Sequence, residues 1–153
     1  MAHGNALSSS QCPSTKVELD KMKDIPYAST IGSIMYVMNY TRPDLAYDMS
    51  MVNKFQQNPG ESHWRAVKNI LKYLRRTKDL FLIYGGVEES LSVKCYTDAS
   101  FTTDQDDCKS QSGYTFIING GVVSWKSSKQ SVFAQSTIES KCIVASEAVQ
   151  EAA

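Results

Sequence analysis

The sequence predicts an α/β protein, in which a helical first half is followed by a small β-sheet and a further helix. Between about residues 27 and 77 the apolar side chains recur three or four residues apart, which is helical spacing. From Leu91 the pattern changes to strand-like alternation, with Leu91, Val93 and Cys95 apolar. Asn119 and Gly120 separate two further β-rich runs, and this pair is a strong hairpin signal because both residues tolerate positive φ.

Length and composition indicate one medium domain or two small ones. The chain has 153 residues and an ordinary hydrophobic content of 42%, which excludes a disordered composition. Sixteen basic and sixteen acidic residues give a formal net charge of zero. A nucleic-acid-binding surface would therefore have to be local.

The four cysteines, Cys12, Cys95, Cys108 and Cys142, form no Cys-x-x-Cys pair and have no histidine at zinc-ligand spacing. We expect free thiols, with a disulfide between Cys95 and Cys142 as the alternative. The first residues lack the pattern of a signal peptide, and no apolar run is long enough to cross a bilayer. A cytoplasmic protein without membrane contact is expected.

Three helices are predicted in the first half. Residues 1–24 are polar and are predicted to form a flexible tail or linker. The first helix spans about 27–40 and buries Ile31, Ile34, Met35 and Met38. The second begins at Pro43, a residue suited to the first helical position, and continues to about Gln57, burying Leu45, Met49 and Val52.

The third helix, about Glu61 to Thr77, has an unusual charge pattern. Its predicted apolar stripe contains Trp64, Val67, Leu71 and Leu74. Basic residues recur on the neighbouring face, namely Arg65, Lys68, Lys72, Arg75 and Arg76, and no acid occurs from Trp64 to Lys78. This face is either a contact for nucleic-acid phosphates or an ordinary solvated helix face.

The second half is predicted to contain further strands and one helix. A short strand is expected at Leu80 to Tyr84, before a boundary near residues 87–90. After the Asn-Gly hairpin, a turn is expected at 126–130 and a third strand at 131–135. The last helix runs from Ile138 towards Ala153 with Ser136 or Thr137 as its cap. Its predicted inward side chains are Ile138, Cys142 and Ala145 or Val149.

Four motifs follow one another in this half: Tyr96–Ser100, Asp106–Tyr114, Trp125–Gln130 and Ser136–Glu139. In this order they resemble the RNase H domain of copia-type LTR retrotransposon polyproteins. From about Tyr27 to Gly86 the chain is also similar to the segment that joins reverse transcriptase to RNase H. The resemblance implies a helical connection segment over residues 25–86. It also implies the N-terminal part of an RNase H-like mixed sheet with its packed helix over 91–153, incomplete at the C-terminus.

The resemblance further implies hydrolysis of the RNA strand of an RNA–DNA hybrid during reverse transcription. Two Mg²⁺ or Mn²⁺ ions, about 4 Å apart, activate the attacking water and stabilise the leaving oxygen in such a reaction. Asp98 and Glu139 match the family's metal ligands, which are carboxylates because these ions prefer hard oxygen donors. Ser100 and Lys109 are candidates for contact with the hybrid, and a polar loop without a ligand is the alternative. The implied partners are the hybrid and the rest of the polyprotein, in the cytoplasm, a virus-like particle or the nucleus.

The chain departs from the family in two ways. It ends before the positions of the family's other acids, and Glu147 and Glu151 lie too far along the last helix to replace them. Lys141 and Cys142 stand where the family has an acid and an aromatic residue. We therefore expect weak or no hydrolysis. A non-catalytic nucleic-acid-binding module and a domesticated protein-interaction fragment are the alternatives, and no polymerase activity is expected because the Tyr-x-Asp-Asp motif is missing.

Overall fold

The computed structural model describes residues 7–85 and 92–152. The chain divides into two compact units, Met1–Leu80 and Phe81–Ala153. Within the described ranges there are five α-helices and a three-stranded antiparallel sheet, which confirms the α/β class. No helix in these ranges is both long enough and apolar enough to cross a membrane.

The first unit is helical. Its helices are α1 (Lys16–Met22), α2 (Tyr27–Thr41), α3 (Ala46–Asn53) and α4 (Glu61–Arg76), with 3₁₀ turns at Ser9–Gln11 and Pro43–Leu45. Pro43 lies at the first position of its turn, where the missing N–H costs nothing. The predicted second helix is therefore divided into a 3₁₀ turn and α3. Together these two elements bury Leu45, Met49 and Val52, as predicted. The core contains Leu7, Tyr27, Ile31, Ile34, Leu45, Met49, Val52, Phe55, Ala66, Val67 and Ile70.

The described part of the predicted tail, residues 7–24, is folded. Leu7 is 5% exposed and belongs to the core, against which Cys12 also packs. Thr15 caps α1 and exchanges hydrogen bonds with Glu18, forming a capping box. This differs from the flexible tail predicted for residues 1–24, because isolated apolar residues in a polar stretch give no periodic signal.

His63 attaches the N-terminal stretch to the start of α4. Its Nδ1 accepts a hydrogen bond from the Gly60 N–H at 2.9 Å, which leaves Nε2 to donate to the Ser8 carbonyl at 3.2 Å. The ring stacks on Phe55 with centroids 3.9 Å apart. His63 is fully buried, so its role is structural.

The sheet of the second unit contains β1 (Val93–Ser100), β2 (Gln111–Ile118) and β3 (Gly121–Lys129), in that order. The hairpin at Asn119 and Gly120 is confirmed, with φ of 47° and 78°. The turn predicted at 126–130 and the strand predicted at 131–135 are wrong. β3 instead continues to Lys129, because Gln111 of β2 lies opposite that residue and supplies a partner.

The strand predicted at Leu80 to Tyr84 is also absent. These residues have no regular structure, and the Phe81 side chain is 82% exposed. The division between the units falls after Leu80, earlier than the predicted boundary. That boundary, at residues 87–90, lies outside the described residues, as does Leu91.

Helix α5 (Thr137–Ala152) covers one face of the sheet and packs against β1 and β2. It buries Ser140, Val144 and Ala148, and Ala148 contacts Tyr114 and Phe116 of β2. The predicted inward residues are wrong. They are exposed and form a separate row on the helix, here called the α5 stripe, which consists of Ile138, Cys142, Ala145 and Val149.

Candidate nucleic-acid interface and acidic residues

The basic residues of α4 lie on the side of the helix opposite its buried face. At 100° per residue, the buried side chains His63, Ala66, Val67 and Ile70 occupy one side. The other side, here called the basic face, consists of Arg65, Lys68, Lys72, Arg75 and Arg76, all exposed. The apolar stripe is rotated from the predicted one, because Leu71 is exposed while Ile70 and Ala66 are buried.

Few acidic side chains neutralise the positive charge of the basic face. Arg65 forms an exposed ion pair with Glu61 at 3.3 Å. Within the described part of the chain, the other four cations have no ion-pair partner. From Arg65 to Arg76 the helix rises about 16 Å, which equals about five steps of 3.4 Å along one nucleic-acid strand. The face therefore has a length and charge suited to several successive phosphates.

Asp98 lies near the end of β1 with an exposed side chain. Its Oδ1 accepts a hydrogen bond from the Ala99 N–H at 2.9 Å. The strand register pairs Asp98 with Gly113, and paired residues of antiparallel strands share a face of the sheet. That face is the one not covered by α5, because α5 contacts the alternate β2 residues Tyr114 and Phe116.

Glu139 lies in the first turn of α5 and takes part in capping the N-terminus of that helix. Its Oε2 accepts a hydrogen bond from the Gln135 N–H at 2.6 Å, and its own N–H donates to Ser136 Oγ at 3.1 Å. This is the reciprocal pattern of a helix cap, and a carboxylate there is also favoured by the helix dipole. Glu139 thus has a structural role independent of any metal.

The described structure does not bring enough acids together for two metal ions. Asp98 points from the open face of the sheet, whereas Glu139 belongs to the helix on the other face. Within residues 7–85 and 92–152 no group of three or more His, Cys, Asp or Glu side chains is placed to hold a metal. The residues present do not fit a two-ion site, and metal binding by Asp98 and Glu139 stays a prediction.

Ser100 and Lys109 flank the loop between β1 and β2. The Ser100 carbonyl accepts a hydrogen bond from Thr103 Oγ1 at 3.2 Å, and Lys109 Nζ donates to the Ser131 carbonyl at 2.8 Å. Lys129 closes the same loop through Asp107 at 2.7 Å, and this contact holds the pKa of Asp107 below its ordinary value. The loop is ordered by its own contacts, so hybrid binding by Ser100 and Lys109 stays a prediction.

Gln130 is a buried structural residue that the sequence pattern does not reveal, and it is 1% exposed. Its Nε2 donates to Ser112 Oγ at 3.0 Å and to the Ser140 carbonyl at 2.9 Å, while its N–H donates to the Ser110 carbonyl at 2.9 Å. Gln130 therefore connects β2 to α5. A glutamine within a polar run resembles a surface turn, so the sequence carries no signal for this role.

The chain is similar to parts of retrotransposon Pol polyproteins. It is 46% identical over 145 residues to the retrovirus-related Pol polyprotein from transposon TNT 1-94 of Nicotiana tabacum. It is 33% identical over 147 residues to the corresponding polyprotein from transposon RE1 of Arabidopsis thaliana. The chain belongs to the copia-type retrotransposon Pol polyprotein family.

The match covers 95% of this chain but 11% of the TNT 1-94 polyprotein, so the chain corresponds to a small part of a Pol polyprotein. A relative of similar length is secreted RxLR effector protein 161 of Plasmopara viticola, which is 42% identical over 131 residues. That match covers 86% of this chain and 92% of the Plasmopara protein. No protein-family model and no solved structure matches the chain.

Proposed function

We propose that this chain is a nucleic-acid-binding segment of a copia-type polyprotein, which holds an RNA–DNA hybrid through the basic face of α4. The observation that carries the proposal is the exposed row of five cations, of which Arg65 alone has an acidic partner among the described residues. Membership in the Pol polyprotein family supports a nucleic-acid ligand over a merely solvated surface.

The basic face would contact the phosphate backbone of the hybrid rather than its bases. Lysine and arginine side chains replace the condensed counterions of a duplex, and the released ions make binding depend steeply on salt. Four or five contacts give an expected slope of roughly −4 for the logarithm of the association constant against the logarithm of salt concentration. Arg75 and Arg76 lie in the last turn of α4, where the helix dipole favours positive charge.

Hydrolysis of the hybrid is proposed for the complete polyprotein rather than for this chain. The resemblance assigns Asp98 and Glu139 to a magnesium site, but within residues 7–85 and 92–152 no third acid joins them to complete a two-ion site. The chain would supply binding, and the further acids of the polyprotein would be required for cleavage. We expect weak or no cleavage by the 153-residue chain.

Binding is tested with a labelled RNA–DNA hybrid in a mobility-shift titration at several salt concentrations. The test variant carries Lys68→Glu, Lys72→Glu and Arg75→Glu. Its matched control carries Lys16→Glu, Lys21→Glu and Lys23→Glu, which make the same change of net charge on exposed residues at and just after α1. We expect the α4 variant alone to lose affinity and the steep salt slope. Equal effects of the two variants, or none, would reject the basic face as the binding site.

Cleavage is tested separately by incubating the same hybrid with the chain and Mg²⁺ or Mn²⁺, beside an Asp98→Asn variant. Intact hybrid with both proteins is the expected result. Cleavage that disappears in the variant would show that two carboxylates suffice, and would extend the function to hydrolysis. If the chain neither binds nor cleaves the hybrid, a protein-interaction role replaces the proposal.

A further inference from the structure

Asn69 lies near the middle of the basic face of α4. At 100° per residue, four exposed residues of this helix fall within an arc of about 60°, namely Arg65, Asn69, Lys72 and Arg76. Along the helix axis Asn69 is about 6 Å from Arg65 and about 10 Å from Arg76. An uncharged amide therefore interrupts the row of cations, with positive charge on both sides of it.

The fold gives no reason for an asparagine at this position. Asparagine is a poor helix former because its amide competes for backbone hydrogen bonds, whereas Lys68 and Lys72 beside it are good helix formers. Within residues 7–85 and 92–152 the Asn69 side chain makes no hydrogen bond to the protein. Residues that act against local propensity without a structural gain are expected at functional sites.

We infer that Asn69 contacts 2′-hydroxyl groups of the RNA strand and so makes the basic face selective for an RNA–DNA hybrid over a DNA duplex. This role rests on the proposed function. A 2′-hydroxyl both donates and accepts hydrogen bonds, and it is the group that distinguishes RNA from DNA. Lysine and arginine offer donors alone, whereas the Asn69 amide offers donors at Nδ2 and an acceptor at Oδ1. Among the four residues of this row, Asn69 alone can match a hydroxyl in both respects.

The shape of a hybrid brings its 2′-hydroxyls within reach of an exposed helix. A-form duplexes have a wide, shallow minor groove that displays these hydroxyls, and RNA–DNA heteroduplexes are recognised through their A-form geometry. When a helix lies across this groove, cations towards its two ends contact the phosphates on either side. Asn69, between Arg65 and Arg76, then lies over the groove itself. The cations would supply affinity, and Asn69 would supply selectivity.

Selectivity is tested by mobility shift with two labelled hybrids of one sequence at a fixed salt concentration. One has an unmodified RNA strand, and the other has 2′-fluoro groups instead, which keep the A-like shape but remove the hydroxyl donors. We expect the unchanged chain to bind the unmodified hybrid about fivefold more tightly, the effect of about one net hydrogen bond. Asn69→Ala should bind both hybrids equally and keep the steep salt slope, because it removes no charge. Alanine favours the helix, so the variant should remain folded.

Lys68→Ala and Asn39→Ala are the controls. Lys68→Ala should weaken the binding of both hybrids alike and reduce the salt slope by about one, as the loss of a phosphate contact does. Asn39 is an exposed asparagine of α2, outside the basic face, so Asn39→Ala should leave the preference for the unmodified hybrid unchanged.

Failure of this role for Asn69 can be distinguished from failure of the proposed function. Salt-dependent binding with equal affinity for the two hybrids would overturn the role of Asn69 and leave the basic face as the binding site. A preference that survives in Asn69→Ala, or that Asn39→Ala also abolishes, would overturn it in the same way. If the unchanged chain bound neither hybrid, both the proposed function and the role of Asn69 would be rejected.

Discussion

Arg42 and Asp44 form a two-point contact at the junction between α2 and α3. Arg42 Nε donates to Asp44 Oδ1 at 3.0 Å, and Nη2 donates to Oδ2 at 2.7 Å. The same guanidinium donates to the carbonyl and the hydroxyl of Thr77, just after α4, and lies over the ring of Tyr73. One buried cation thus connects the α2–α3 junction to the end of the helix that carries the basic face.

Replacing Arg42 by alanine should destabilise the first unit. The change removes four hydrogen bonds and leaves the Thr77 carbonyl and the Asp44 carboxylate without their cation, so we expect a loss of about 2 kcal/mol. Urea unfolding followed by circular dichroism measures it. Arg65→Ala is the control, because its exposed ion pair should contribute less than about 0.5 kcal/mol. Similar losses for the two variants would contradict this role of Arg42.

Asp44 should make stability depend on acidic pH. Hydrogen bonds from Arg42 hold the pKa of Asp44 below its ordinary value, so the folded state binds this proton less readily than the unfolded state. Its stabilising contribution is present above the unfolded pKa, near 4, and is lost as pH falls through the lower folded pKa. Unfolding titrations at decreasing pH should show less acid destabilisation in Asp44→Asn than in the unchanged chain.

Asp48 should affect the stability of the fold in the opposite direction and therefore serves as a control. Burial raises the pKa of Asp48, so its carboxylate destabilises the folded state at neutral pH and protonation removes that cost. Asp48→Asn should therefore increase stability at neutral pH, and the gain should shrink as pH falls. If Asp44→Asn and Asp48→Asn changed the free energy of unfolding in the same direction at neutral pH, the opposite pKa shifts of the two carboxyl groups would be contradicted.

Gln130→Leu should loosen the contact between the sheet and α5. Leucine has a similar size but cannot donate to Ser112 and Ser140, which leaves buried acceptors without their partner. We expect a loss of about 1–3 kcal/mol, measured by thermal unfolding of the second unit. Gln135→Leu, at an exposed position before α5, should change stability by less than about 0.5 kcal/mol. An unchanged Gln130→Leu protein would show that the hydrogen bonds contribute nothing net.

Gly60→Ala should destabilise the chain, because a Cβ at this position would collide with the backbone carbonyl of Gln11. Overpacking of this kind costs about 1–3 kcal/mol. Gly32→Ala is a control of opposite sign, since its Cβ meets nothing and alanine favours the α2 helix by about 1 kcal/mol. Chemical unfolding of both variants makes the comparison, and a neutral Gly60→Ala would show that residues near Gln11 move freely.

The sequence predicts features that depend on neighbours along the chain. The bounds of α2 and α4 follow from apolar spacing, and the hairpin follows from Asn119 and Gly120 alone. Features that depend on a distant partner are missed. β3 is longer than predicted because β2 continues beside it, and no local pattern reveals that pairing.

The face of α5 illustrates the same limit. The helix carries two rows of residues, and the α5 stripe is the more apolar one in sequence. The buried row contains Ser140 and Ala148, whose small side chains allow close approach to the sheet, and Ser140 also bonds Gln130. Sequence likewise predicts Asp98 and Glu139 as candidate ligands from the motifs around them. Asp98 lies on the face of the sheet that α5 leaves open, and Glu139 takes part in the helix cap; the motifs encode neither arrangement.

The two units differ greatly in the size of their described cores, with eleven clustered buried residues in the first and three in the second. Each unit also contains one of the chain's two tryptophans, Trp64 in α4 and Trp125 in β3. Both indole rings are half-buried. The intrinsic fluorescence of a single-tryptophan variant would therefore follow one unit at a time. Trp64 would report on the unit with the larger described core, and Trp125 on the unit with the smaller one.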